Sequence, residues 1–184
     1  FLGHSREEQP LALQLGSADP LALLQSALLA VEAGFKEINL NCGCPSDRVQ
    51  SGSFGAAMMK VPTVVAHCVS TLRAELPSNI QLSVKTRLGV DDLYSYDYLH
   101  SFISQIHSSG CRVFHIHARQ ALLAGLSPKE NREIPPLNHE WVYRIKKDFP
   151  MCTVVLNGGV NSACQLAGHL QHVDGVMIGR HAYN

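Results

Sequence analysis

The chain has 184 residues, 46% of them hydrophobic and 16% charged, with a formal net charge of zero. That composition suffices for one compact domain with a buried core, and it lacks the electrostatic footprint of a strong nucleic-acid binder, a pI above about 9. No apolar run reaches the roughly 18 residues a membrane span needs; the six cysteines form no C-x-x-C pair and the ten histidines no H-E-x-x-H cluster, so the pattern excludes a zinc-finger spacing and a dense secreted disulfide framework and fits a reducing compartment.

Six runs with strand character follow in order, at residues 11–15, 37–41, 81–86, 113–117, 153–156 and 175–178. Helical stretches lie between them, at 20–33, 56–76, 94–108, 139–149 and 162–171. Asp19-Pro20 reads as an N-cap followed by proline at the first helical position, and Pro62-Thr63 as a similar start. Gly34 and Gly110 stand where helix C-caps belong. The strands read as near-continuous apolar runs, as parallel strands buried on both faces do. Strand–helix repetition of this kind means a parallel α/β sheet.

An open sheet and a barrel share this grammar, and three features favour the barrel. Polar groups recur at strand C-terminal ends: Gln14, Asn41, Lys85 with Arg87, His117 with Arg119, Asn157 and Arg180. In a (β/α)8 TIM barrel such ends converge on one mouth. No G-x-G-x-x-G follows the first strand, which argues against a dinucleotide fold. The last two strands end in Asn157-Gly158-Gly159 and Gly179-Arg180, where barrels build a phosphate site. Six βα units are then present, and a full barrel of about 250 residues needs two more. The expectation is one domain over residues 1–184, an incomplete barrel lacking its first two units.

The segment Ile38-Asn39-Leu40-Asn41-Cys42-Gly43-Cys44-Pro45-Ser46 places a thiol, Cys44, on a tight loop at a strand end. A lone cysteine is most often a small buried hydrophobe, but the amides around this one favour chemistry, as nucleophile or proton donor. Lys85, at the end of an apolar strand, either snorkels to solvent or faces the mouth, where it could hold negative charge on a cofactor ring. His115 and His117 share a strand face, His115 reading as structural and His117 as nearer the mouth. The glycines of Asn157-Gly158-Gly159 expose backbone N–H groups to a phosphate, and Arg180 adds a charged donor fork. A phosphate-bearing redox cofactor with a cysteine acid fits this set better than hydrolysis.

These residues resemble the tRNA-dihydrouridine synthases, flavin enzymes, and within them the A subfamily. The likeness is carried by LALQLG at 11–16, INLNCGCPSDRV at 38–49, VKTR at 84–87, HAR at 117–119, GLSPKENREIPP at 125–136, NGG at 157–159 and residues 175–180. It implies reduction of the C5–C6 bond of uridine in the D-loop of tRNA, at position 20 and 20a by subfamily likeness, with FMN as cofactor and NADPH as reductant. Cys44 would be the proton donor. Gln14, Lys85 and His117 would contact the flavin, and Asn157, Gly158, Gly159, Gly179 and Arg180 its phosphate end. Asn41 would hold the target base, and Lys129 and Arg132 would orient the tRNA. It further implies a cytoplasmic or organellar protein without metal or membrane, and a C-terminal helical domain that this chain lacks. Cys42 departs from the pattern and reads as packing. Two other readings stand beside this one: a dihydroorotate-dehydrogenase-like flavin barrel acting on a small molecule, which would not need Lys129 and Arg132, and an inactive truncated fragment.

Overall fold

The computed structural model describes residues 2–46 and 52–182. Asp47, Arg48 and Val49, the end of the thiol-bearing segment, lie outside the described residues.

Each strand and helix forms where local chemistry allows. β1 (Ala12–Leu15) leads to α1 (Pro20–Glu32), whose N-cap Asp19 accepts hydrogen bonds from Leu21 N at 2.9 Å and Ala22 N at 3.4 Å. Gly34, at φ +98°, closes α1 and hands the chain to β2 (Glu37–Cys42). The stretch expected as one helix over 56–76 is two elements: a 3-10 turn at Gly55–Lys60, then α2 (Pro62–Glu75). Proline restricts the residue before it away from the helical region, and Val61 sits at φ −131°, ψ 73°. Pro62 therefore begins α2, as its start signal indicates, and also ends what precedes it. β3 (Gln81–Arg87), α3 (Tyr96–Ser108), β4 (Val113–His117), α4 (His139–Asp148), β5 (Thr153–Asn157), α5 (Ala163–His169) and β6 (Gly175–Met177) complete the sequence of elements.

The six strands form one sheet in the order β1-β2-β3-β4-β5-β6, every neighbouring pair parallel. Consecutive order with a helix at each crossover is the arrangement of a (β/α) barrel wall, here part of one.

The central strands are not apolar on both faces; they alternate. Ile38, Leu40, Leu82, Val84, Phe114, Ile116, Val154 and Leu156 point one way and are all at most 4% exposed, in one core with Ala27, Val69, Leu72, Phe102, Ile106 and Ile145 of the helices. Each such side chain contributes roughly 1.5–3 kcal/mol. The opposite face carries Glu37, Asn39, Asn41, Gln81, Ser83, Lys85, Arg87, His115 and His117, set side by side by the register. The sequence expectation missed this because inward polar residues are tolerated only when they satisfy one another across strands. Here they do. Gln14 Nε2 donates to Asn39 Oδ1 at 2.7 Å, and Asn39 Nδ2 donates to Ser83 Oγ at 2.8 Å. Ser83 Oγ and Gln81 Nε2 both donate to the Glu37 carboxylate, and His115 Nε2 lies 3.4 Å from Glu37 Oε1. His115 thus has a structural partner, as its position suggests.

Among the described residues no helix is long and apolar enough to cross a membrane, and no group of three or more His, Cys, Asp or Glu is placed to hold a metal ion.

Candidate active site at the strand C-terminal ends

β2 runs out at Cys42, which is fully buried against the helices and is packing, as expected. The chain then turns on Asn41, whose Oδ1 accepts from Gly43 N at 3.0 Å and Cys44 N at 3.1 Å. This side-chain cap, which Asn provides more readily than most residues, fixes the loop and lifts Cys44 beyond the strand end. Its thiol, half-buried, donates to Ser46 Oγ at 3.4 Å. Asn41 Oδ1 is occupied by the loop, so Nδ2 is the donor it has to offer the cavity.

On the adjacent strand, Lys85 Nζ donates to Asn157 Oδ1 at 3.0 Å, and Asn157 Nδ2 donates to the Met177 carbonyl at 2.9 Å. These bonds tie the ends of β3, β5 and β6 together. Gly158 and Gly159 follow at φ +108° and +77°, a backbone that L side chains rarely adopt. A Cβ on Gly158 would stand 2.6 Å from His117 Cδ2, and one on Gly159 2.5 Å from Leu137. The turn is glycine because both its conformation and its neighbours demand it. His139 Nε2 contacts the Gly158 carbonyl at 2.9 Å. Gly179 opens onto empty space, and Arg180 pairs with Glu133 at 2.6 Å.

Arg87, grouped with Lys85 at a strand end in the sequence, was given no role of its own there. It is 3% exposed, yet its Nε donates to the Gly43 carbonyl at 2.9 Å and its Nη1 to the carbonyls of Gln120 at 2.9 Å and Asn131 at 2.8 Å. Strand alternation alone puts it on the same face as Lys85, and that was the available signal. Asn131, also fully buried, holds the 125–136 segment by accepting from Leu122 N at 2.8 Å and donating to the Leu122 carbonyl at 2.8 Å.

These groups surround a cavity of about 560 Å³, within the usual range for small-molecule sites. Its wall includes Gln14, Asn41, Cys44, Lys85, His117, Arg132, Asn157, Gly158, Gly159, Gly179 and Arg180. Lys129 alone of the expected site residues is outside it, exposed on the adjoining loop. No aspartate or glutamate lines the cavity among the described residues. Burial, with Arg87 nearby, lowers Lys85 to about 8. Burial lowers Arg87 to about 10. Burial, reinforced by Arg87 and Lys85, drives His117 down to about 2, so its imidazole is neutral at any working pH. Among the described residues the wall is therefore a cationic surface with one thiol and no carboxylate.

Residues 2–184 match the dihydrouridine synthase family. The chain belongs to that family. It is 53% identical over 182 residues to the tRNA-dihydrouridine(20/20a) synthase of Pasteurella multocida, covering 99% of this chain and 55% of the relative. It is 55% identical over 184 residues to the enzyme of the same name from Vibrio cholerae, covering 100% and 56%. The chain spans about half the length of the curated relatives it matches. Solved structures share the fold at low identity. A putative lyase/mutase from Burkholderia cenocepacia superposes with TM-score 0.60 at 15% identity, over 95% of this chain and 56% of that one. A member of the enolase superfamily from Salmonella Typhimurium gives 0.58 at 11%, over 86% and 36%. They support the barrel architecture of the chain.

Proposed function

We propose that this chain carries the catalytic half-site of an FMN-dependent enzyme that reduces uridine to 5,6-dihydrouridine in the D-loop of tRNA, at positions 20 and 20a, with NADPH as reductant. The observation that carries the reading is the shared cavity: a thiol, a buried lysine and a glycine-rich turn with an arginine, with no carboxylate among the described lining residues. The names of the relatives supply the substrate.

The residues fit the cofactor. Two positive-φ glycines and Arg180 suit a phosphate. Arg180 is held meanwhile by Glu133, an exposed pair that a phosphate can replace. Lys85, Gln14 and neutral His117 form the polar edge that would meet the ring system. Lys85 keeps its positive charge at neutral pH, since its value of about 8 lies above 7. FMN held here and reduced by NADPH would supply the hydride that adds to C6 of the uracil ring. Cys44 gives its thiol proton to C5, so that one hydride and one proton add across the double bond, and solvent then reprotonates the sulfur. Asn41 Nδ2 holds the base beside that thiol. The uridine must leave its stack to enter, and Lys129 and Arg132, at the rim and just beyond it, orient the tRNA. Such a protein works where tRNA is processed, in the cytoplasm.

The test is spectral and chemical. The full-length protein with FMN should show a perturbed flavin band that NADPH bleaches, in wild type and in Cys44→Ala alike. Only the wild type should convert uridine in a tRNA transcript at the normal rate; loss of a general acid costs about 10²–10⁴-fold. Full uridine reduction by C44A would remove the acid role, and turnover of a free pyrimidine in place of tRNA would favour the small-molecule reading.

A further inference from the structure

We infer that Arg87 is a positioning residue that ties the Cys44 loop to the substrate-facing arm, residues 125–136, so that the two move as one body. This rests on the proposed acid role of Cys44. Arg87 hydrogen-bonds neither the Cys44 thiol nor a side chain of the arm. It works through backbone: Nε grips the carbonyl of Gly43, the residue before Cys44, and Nη1 grips the carbonyl of Asn131, inside the arm. The same Nη1 holds the Gln120 carbonyl, at the root of the arm. Asn131 then spreads that anchor along the arm, donating to the carbonyls of Leu122, Leu126 and Ser127 at 2.8, 3.2 and 3.4 Å.

A guanidinium is the only side chain suited to this. Its fork is planar, presents five fixed donors and stays charged. No carboxylate pairs with it among the described residues; its contacts are carbonyls. Burying an unpaired charge costs several kcal/mol, so packing alone would be served better by an apolar residue. What the charge provides is three strong carbonyl contacts between segments 33 and 44 residues away in sequence. Gly43 adds a steric reason: a Cβ there would stand 3.3 Å from the Thr86 backbone carbon and 3.4 Å from the Lys85 carbonyl. The Cys44 loop thus lies flat on β3, within reach of Arg87. A thiol displaced by about 1 Å from its target carbon loses about 10²-fold in rate.

The experiment compares wild type, Arg87→Met and Arg87→Lys in the full-length FMN-loaded protein. Alkylation of Cys44 by iodoacetamide is measured against exposed Cys164 as internal control, and trypsin cleavage after Lys129 and Arg132 against cleavage elsewhere. The expected result is faster Cys44 alkylation and faster arm cleavage in R87M, with Cys164 unchanged and FMN affinity kept within about twofold. kcat falls about 10²-fold, KM for tRNA rises, and R87K recovers part of both. If R87M fails to fold by circular dichroism, R87K provides the same comparisons. Wild-type alkylation and cleavage rates in a folded variant would overturn the inference. A wild-type enzyme that binds no FMN, or a fully active C44A, would instead overturn the assigned function, and the two labelling comparisons would still report on the tie.

Discussion

At the scale of single residues, the site is a set of groups pushed from their ordinary states by burial. Lys85 is the clearest. Its value of about 8 means that its charge is present below that pH and lost above it. FMN affinity of the full-length protein, followed by fluorescence quenching, should therefore fall as pH rises through about 8. Lys85→Met should bind weakly throughout and show no step there. His117, held neutral, should contribute no titration between pH 5 and 8. Most of these residues were legible in the sequence because each ends a strand, and strand ends converge by topology alone. Arg87 was not legible as an organiser. Its partners are backbone carbonyls on distant loops, and nothing in the spacing of side chains records a carbonyl.

Elements explain the next layer. The strands and most helix ends follow caps, prolines and glycines that can be read directly: Asp19, Gly34, Gly110 and Pro62 each act as their type dictates. The 56–76 stretch shows the limit, because a proline start signal is also a stop for what lies before it. The alternation of β3, Q-L-S-V-K-T-R, was written in plain sight, yet its meaning depends on Asn39 and Glu37 of β2 being there to satisfy Ser83 and Gln81. The arm at 125–136 has only one short 3-10 turn, Glu130–Arg132, and depends on Asn131 for its shape. Asn131→Ala leaves Leu122 N and three carbonyls without that partner. It should destabilise the protein by about 2 kcal/mol, seen as a lower urea midpoint at unchanged m value.

For the whole molecule, the two faces of the sheet divide labour: the helix-covered face holds the fold, and the other holds a polar ladder that ends in the cavity. Glu37 sits in the middle of that ladder. The close approach of His115 first, and the hydrogen bonds from Ser83 and Gln81 after it, hold its carboxyl below the ordinary range against the opposing effect of burial. A depressed carboxylate contributes stability that is fully present above its unfolded value, about 4.3, and lost as pH falls through its folded one. Thermal midpoints should therefore drop steeply below about pH 4. Glu37→Gln should be less stable at neutral pH and show a shallower acid decline.

The carboxylate-free wall has a practical consequence at the bench. With no carboxylate among its described lining residues and Glu133 engaged by Arg180, the cavity does not distinguish the phosphate end of a nucleotide from an inorganic oxyanion except by the contacts made to the rest of the cofactor. Sulfate and phosphate become competitors of the flavin. Protein purified in a Tris chloride buffer should retain more flavin, judged by the ratio of visible to 280 nm absorbance, than the same protein salted out with ammonium sulfate or eluted in phosphate. Equal ratios would mean that Arg180 and the Gly158-Gly159 turn do not hold an anion at all. A lower ratio in sulfate or phosphate would mean that the colour of the preparation is set by the choice of salt as much as by the protein.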